Sequence, residues 1–256
     1  MPRKLQPGGA GGSAAPAARI AAMMLVRYPL AAVPGALAHL GLDRWVLRRT
    51  AGLRFWRLLG SSRGQAAGGW EPRRYGLFSV WESTAALEAF LAHSPVVARY
   101  RRRADEVWTV RLAPVRWHGA WGGINPFADL PVPEAGSEGP WVVLTRATLR
   151  LRAVRPFQQA AVPITALLAE QPGLIAALGL GEVPLVLQAT LSVWEDLASV
   201  QRFAYGGEAH AGVIRRTRQE GWYREEFFAR FQPLSSWGSW DGSDPVATTS
   251  SGRREG

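Results

Sequence analysis

The 256-residue chain contains no cysteine. That excludes disulfides, thiolate zinc sites, iron–sulfur clusters, a cysteine nucleophile and a thiolate ligand to haem iron. Histidine is scarce as well. His39, His93, His118 and His210 are too few and too scattered for a multi-histidine metal cage, although a single-histidine ligand stays open. No apolar run is long enough to span a bilayer. The uncharged stretch from Tyr28 to Leu42 is broken by Pro29, Pro34 and Gly35 and falls short of the ~20 apolar residues a spanning helix requires. The run from Ile20 to Val26 is too short for a secretory signal and lacks a cleavage pattern. A cytoplasmic protein, with at most a peripheral contact at a membrane surface, is the expectation.

Lysine is almost absent too, Lys4 being the only one. The net charge of +10 is therefore carried by arginine, spread over every expected element and accompanied by abundant Ala, Gly and Pro. This pattern reads as base-composition bias and gives no concentrated basic face, so nucleic acid is not expected as a partner. Hydrophobic residues make up 47% and charged residues 20% of the chain, the balance of a folded protein with a sizeable core. Twelve tryptophans can fill such a core or line a pocket for a flat or greasy ligand.

An internal repeat organises the sequence. Phe78-Ser-Val-Trp81-Glu matches Leu191-Ser-Val-Trp194-Glu, 113 residues later, and the same offset places Phe90 on Phe203. A one-residue gap puts Trp108 on Trp222. Upstream, Gly52-Leu53 pairs with Gly173-Leu174 and Leu25-Val-Arg27 with Leu144-Thr-Arg146. Preserved order across these anchors argues for duplication. Periodicity in the first half reads strand 24–28, helix 32–48, strands 53–60 and 74–81, helix 83–103 and strand 108–117. The second half repeats the series at 141–149, 156–169, 173–179, 185–194, 195–219 and 222–231. This is the βαββαβ order of a ferredoxin-like unit. The expected class is α+β, with two tandem ferredoxin-like halves packed sheet to sheet in a single chain. Residues 1–22 read as a disordered extension, 23–119 as the first half, 120–140 as a linker, 141–234 as the second half and 235–256 as a disordered tail. Ser94-Pro95 is an N-cap followed by Pro at N1, so the long helix of the first half should break there. Gly207-Glu208 stands at the matching place in the second.

Where the copies differ, one has room to specialise. His210 stands where the first half has Val97, and its helical neighbours Val213 and Ile214 put it on an apolar face. Two readings are open: a core histidine satisfied by a backbone carbonyl, or an axial ligand to haem iron, for which one imidazole suffices because the porphyrin supplies four nitrogens. Arg215, Arg216 and Arg218 could reach haem propionates as forked donors or form a solvated face. Other signals are weaker. Gly179-Leu-Gly181 and Gly68-Gly69 lack the fingerprint of a phosphate-binding loop. Glu225 and Glu226 are adjacent on an expected strand and point to opposite faces. His39, His93 and His118 read as surface or capping residues.

The run Phe203-Ala-Tyr205-Gly-Gly-Glu-Ala-His210 through Trp222-Tyr-Arg-Glu-Glu-Phe-Phe-Ala-Arg-Phe231 resembles the spheroidene monooxygenase family of carotenoid biosynthesis. So do Gly52-Leu-Arg-Phe-Trp56-Arg-Leu-Leu-Gly60, Trp108-Thr-Val-Arg-Leu-Ala-Pro114, the Gly-Ile-Asn-Pro-Phe127 segment and Gly179-Leu-Gly-Glu-Val-Pro184. The resemblance runs from Leu25 to Phe231. It implies a monooxygenase that inserts oxygen at the end of an acyclic carotenoid, or a similar apolar substrate, using O2 and an electron donor such as reduced ferredoxin. It also implies a dimeric α/β-barrel fold and association with haem iron. Carried onto this chain, the ligand role falls on His210, with Arg215 and Arg218 beside the cofactor. A barrel that binds haem or a lipophilic molecule without turnover is the alternative, and a cofactor-free oxygenase a third.

Overall fold

Strand β1 (Ile20–Arg27) is buried along nearly its whole length on both faces, so it must be covered twice. The computed structural model, which describes residues 19–62, 70–133, 139–183, 187–205, 212, 215–217 and 219–247, shows how. One face of the strand looks into a closed barrel and the other lies under helices. After β1 come α1 (Val33–Arg48), β2 (Leu53–Ser62), β3 (Trp70–Trp81), α2 (Thr84–His93), α3 (Pro95–Arg103) and β4 (Glu106–Gly119). The second series is β5 (Trp141–Leu149), α4 (Val154–Ala169), β6 (Leu174–Val183), β7 (Leu187–Trp194), α5 (Leu197–Tyr205) and β8 (Tyr223–Gly238). The eight strands close in the order β1-β3-β2-β6-β7-β5-β8-β4, every neighbouring pair antiparallel. Among the described residues no helix is long and apolar enough to cross a membrane.

Alternation along each strand sends one set of side chains inward. Met23, Phe55, Phe78, Val110, Leu144 and Phe231 meet in the barrel interior, while Met24, Leu58, Leu77 and Trp81 pack outward against Leu87, Phe90 and Val97 of α2 and α3. The expected helix break is present. The Ser94 hydroxyl accepts from the Val96 amide at 3.2 Å, satisfying one of the donors a helix start leaves free.

The repeat extends to individual bonds. The Trp81 indole donates to Ser79 Oγ and the Trp194 indole to Ser192 Oγ, both at 2.9 Å. Gly52 and Gly173 both adopt positive φ, and their carbonyls accept from the amides of Glu82 and Glu195, again at 2.9 Å. Pairing corrects two of the sequence correspondences. Ile20 lies opposite Trp81 and Trp141 opposite Trp194, so Leu25 corresponds to Arg146 and not to Leu144. Likewise Leu25 faces Trp108 while Arg146 faces Phe227. Trp108 therefore matches Phe227, and Trp222 precedes the strand. The first of these slips, of two residues, preserves the in-and-out pattern of a strand, which is why sequence periodicity alone did not detect it.

The expected disordered segments also need correction. Strand β1 begins at Ile20, inside the region taken as a disordered extension, and β8 runs through 235 to Gly238. Beyond it Trp240 and Val246 are buried. They belong to a second repeat, Trp121-Gly-Gly-Ile-Asn-Pro-Phe127 against Trp240-Asp-Gly-Ser-Asp-Pro-Val246. In each copy the Asn or Asp side chain accepts from the amide two residues on, at 3.0 Å for Asn125 and 3.1 Å for Asp244. Trp121 and Phe127, placed in the linker by the sequence reading, are fully buried in the barrel core.

Candidate functional site

The interior of the barrel is filled. Trp121 stacks on Phe78 with centroids 5.8 Å apart, and Phe127, Phe227 and Phe231 pack beside them. One end is closed by charge. Arg57 and Arg146 occupy inward positions on β2 and β5. The Arg57 guanidinium donates to the Trp121 carbonyl at 2.7 Å and pairs with Glu182 at 3.2 Å. Glu182 accepts from the Trp121 indole at 2.7 Å, and Arg146 pairs with Glu225.

Burial alone would push the Glu225 carboxyl up. The amides of Gly123 and Gly122, at 2.6 and 2.8 Å, together with Arg146, hold it below its ordinary range. Burial lowers the Arg57 pKa; Glu182 opposes the shift and Arg146 adds to it. These groups bond mainly to one another, so the cluster acts as a plug. Beside it lies a cleft of about 390 Å3, lined by Trp56, Leu58 and the arginines Arg44 and Arg48 of α1. Sequence reading missed this network, although an arginine at an inward position between Phe55 and Leu59 was a visible break in the alternation.

The outward face of β5, β7 and β6 is lined differently from that of β1, β3 and β2. In the first half, Met24, Leu77 and Leu58 form a row across β1, β3 and β2 beneath the helices, all buried. The same row across β5, β7 and β6 is Thr145, Thr190 and Gly179. Three large apolar side chains are replaced by two threonines and a glycine. Thr145 is exposed on a strand flanked by two others, and Thr190 is half-buried. Trp141, Val143 and Trp194, all buried, pack in the outward cluster of this half with Leu168 of α4 and Val200 of α5, and Phe228 lies against it.

A cation faces the same layer. Arg230, paired across the strands with Val143, is buried, and its Nε has no hydrogen-bond partner. The matching Arg111 of β4 is held by Glu88 and Ser235, both at 2.7 Å. Arg116 lies beside Arg230 on β4, so repulsion between like charges adds to the cost of a buried, unpartnered guanidinium nitrogen.

Of the residues singled out from sequence, His210 and Arg218 lie outside the described residues. Arg215 is helical and exposed. Arg216 pairs with Glu220 at 2.6 Å and lies over the Trp222 ring. His118 is exposed and stacks on Phe228. Glu226 points outward, opposite in sense to Glu225, as expected for neighbours on a strand. Among the described residues no cluster of His, Asp and Glu could hold a metal ion.

No protein-family model matches the chain. It is 33% identical over 234 residues to the spheroidene monooxygenase of Rhodobacter capsulatus, covering 90% of this chain and 96% of that one. Against the spheroidene monooxygenase of Cereibacter sphaeroides it is 36% identical over 198 residues, 75% of this chain and 60% of that one. Among solved structures, an aldoxime dehydratase superposes with a TM-score of 0.55 at 11% identity, covering 90% of this chain and 87% of that one, a likeness of fold alone. Identity to the Rhodobacter enzyme along almost the full length of both chains means that this chain belongs to the spheroidene monooxygenase family and is an oxidoreductase of the monooxygenase type.

Proposed function

We propose that the chain is a haem-dependent monooxygenase that oxidises the end of an acyclic carotenoid or similarly apolar substrate, with His210 as the residue that would hold the haem iron. A ferredoxin-type protein would supply the electrons. In this reading the two halves are fused ferredoxin-like units, and only the second has opened a space between sheet and helices.

The carrying observation is the row Thr145–Thr190–Gly179 where the first half has Met24–Leu77–Leu58. Val97, on which the 113-residue offset of the sequence places His210, packs in the same cluster as Met24, Leu77 and Leu58. A histidine at that place would stand over the vacated row. The residues present fit a flat, anionic, largely apolar group. Trp141, Val143 and Trp194 would cover its apolar surface, and Arg230, whose Nε lacks a partner, would meet a carboxylate. Arg230 is better placed for this than Arg215, which is exposed.

When bound, haem supplies the activation of O2 and the delivery of one oxygen atom to an allylic or terminal carbon. The chain supplies the imidazole, the orientation of the cofactor and an apolar wall that limits water. With no cysteine in the sequence, a thiolate ligand is excluded, and an imidazole is the ligand this reading assigns in its place.

The test is the absorption spectrum of protein expressed with a haem supply. A Soret band is expected, and His210→Ala should abolish it while leaving the fold intact; an unchanged spectrum in that variant refutes the ligand assignment. Adding reduced ferredoxin, labelled O2 and a lycopene- or spheroidene-type substrate should give a product that carries the label. A haem-loaded protein without product would be a carrier instead.

A further inference from the structure

Helix α1 is unusual in what it leaves uncovered. Its buried side is anchored by Leu47 and by Asp43, whose carboxylate accepts from the Arg99 guanidinium. On the opposite side Trp45 lies with Leu42, three residues before it, and Leu37, eight before it, within the outward half of the helix, all exposed, with Leu42 61% and Trp45 62% accessible. Such a stripe in a soluble helix normally faces a core.

The fold does not demand it. The two helices occupy matching places, each following a three-residue 3-10 turn, Leu30–Ala32 before α1 and Leu151–Ala153 before α4. In α4 the positions of Leu37 and Ala38 are held by Gln158 and Gln159. A polar residue at the place of Leu37 is therefore compatible with the architecture, and where α1 carries the large side chains of Leu42 and Trp45, α4 has only Pro163 and Ala166.

Positive charge frames the stripe at both ends. Arg44, Arg48 and Arg49 lie at the C-terminal end of the helix and are exposed. Arg44 and Arg48 have no ion pair among the described residues, and the Arg49 guanidinium lies 4.2 Å over the Trp45 ring. At the other end, Arg103 of α3 reaches close to Gly35. No acidic side chain is exposed on the helix, because Asp43 is its only acid and is buried. An apolar stripe bearing Trp and Leu, bordered by arginine, is the chemistry of a helix lying in the interface of an anionic bilayer.

We infer that α1 is a membrane-docking helix that lays Leu37, Leu42 and Trp45 among the acyl chains while Arg44, Arg48, Arg49 and Arg103 meet lipid phosphates. Charge complementarity commits the surface to anionic phospholipid. The inference rests on the proposed apolar substrate only for its biological reason, since such a substrate partitions into membranes; vesicle binding requires neither haem nor turnover, so either reading can fail without the other.

The test is co-sedimentation of the full-length protein with vesicles of phosphatidylcholine alone and with about one-third phosphatidylglycerol. Binding to the anionic vesicles and little to the neutral ones is expected. Replacing Arg44, Arg48 and Arg49 by Gln should weaken binding about fivefold per arginine, roughly a hundredfold in total, since each basic side chain at such a surface contributes about 1 kcal/mol. Leu42→Gln with Trp45→Gln should weaken it about tenfold or more. These side chains are exposed, so melting temperatures should stay unchanged and exclude misfolding. Wild-type protein that ignores anionic vesicles, or variants that bind like wild type, overturns the inference. So does a dimer in lipid-free buffer that Trp45→Gln breaks without vesicle binding, which would assign the stripe to a second copy. Inorganic phosphate that binds the arginines while anionic vesicles do not would leave a soluble-anion site and overturn the lipid assignment.

Discussion

Thr190→Leu restores to the second half the residue that its counterpart, Leu77, supplies in the first. Leu77 is 1% exposed beneath α2 and α3, and Thr190 sits between Thr145 and Gly179 in the row that lacks bulk. Fully burying a leucine side chain contributes about 1.5–3 kcal/mol relative to leaving it exposed. Thr190 is already half-buried, so a net gain of roughly 1–2 kcal/mol is the appropriate figure for the haem-free protein. For a chain of this size that corresponds to a rise of about 2–8 °C in Tm. The same leucine occupies space assigned to the cofactor, so haem incorporation should fall together with the gain in stability. The assays are thermal unfolding of haem-free protein and the Soret absorbance per protein after reconstitution. Destabilisation would refute the reasoning, because overpacking costs about 1–3 kcal/mol and would show that the second half's own helices already fill the row. A retained Soret band would place the cofactor elsewhere.

Glu225→Gln removes the charge opposite Arg146, whose side chain is 4% exposed. Breaking a buried pair costs about 3–5 kcal/mol, and the lower end is expected because the amide can still accept from Gly122 and Gly123; urea unfolding measures it. The Glu225 carboxyl titrates below its ordinary value in the folded state, so its contribution is complete above about pH 4.3 and is lost as pH falls through the lower folded value. The acid limb of stability below about pH 4 should therefore be shallower in the variant. Gly119→Ala and Gly238→Ala should each destabilise by about 1–3 kcal/mol or more. Both glycines have positive φ, and an added Cβ would strike the carbonyl oxygens of Glu226 and Val107 respectively. Since the two contacts are equivalent, losses of clearly different size would argue against equivalent ends.

Much of the architecture was legible because it rests on short-range rules. β5 spans 141–149 as periodicity indicates, and Ser94-Pro95 breaks the helix where capping chemistry places the break. What stayed hidden depends on partners remote in sequence. The offset between the halves slipped by two in the first strand because Leu25-Val-Arg27 and Leu144-Thr-Arg146 look alike, and only the pairing of Ile20 with Trp81 and Trp141 with Trp194 separates the alternatives. The end turns at Trp121 and Trp240 were read as linker and tail because Gly, Pro, Asn and Asp dominate both, and nothing local reveals that their tryptophans enter the core. The loss of bulk at Thr145, Thr190 and Gly179 could have been read from an alignment in the correct register. In the shifted one, Thr145 falls on Val26, and the contiguous row disappears.

The end turns are exchanged. The turn after β4 is gripped by Glu225 of the second half, through the amides of Gly122 and Gly123, and the turn after β8 by Glu106 of the first, which accepts from the Gly242 amide at 2.8 Å and the Ser239 hydroxyl at 3.1 Å. Each repeat thus holds the other's end turn within one chain, and a covalent connection of this kind fixes the effective concentration of two partners and lowers the entropic cost of their meeting. A tethered pair is free to become unequal. One member can keep every packing contact while the other gives some up, since loss in the second no longer risks dissociation. The filled row of the first half can thus be read as the ballast that lets the second half carry Thr145, Thr190 and Gly179 where the first has Met24, Leu77 and Leu58.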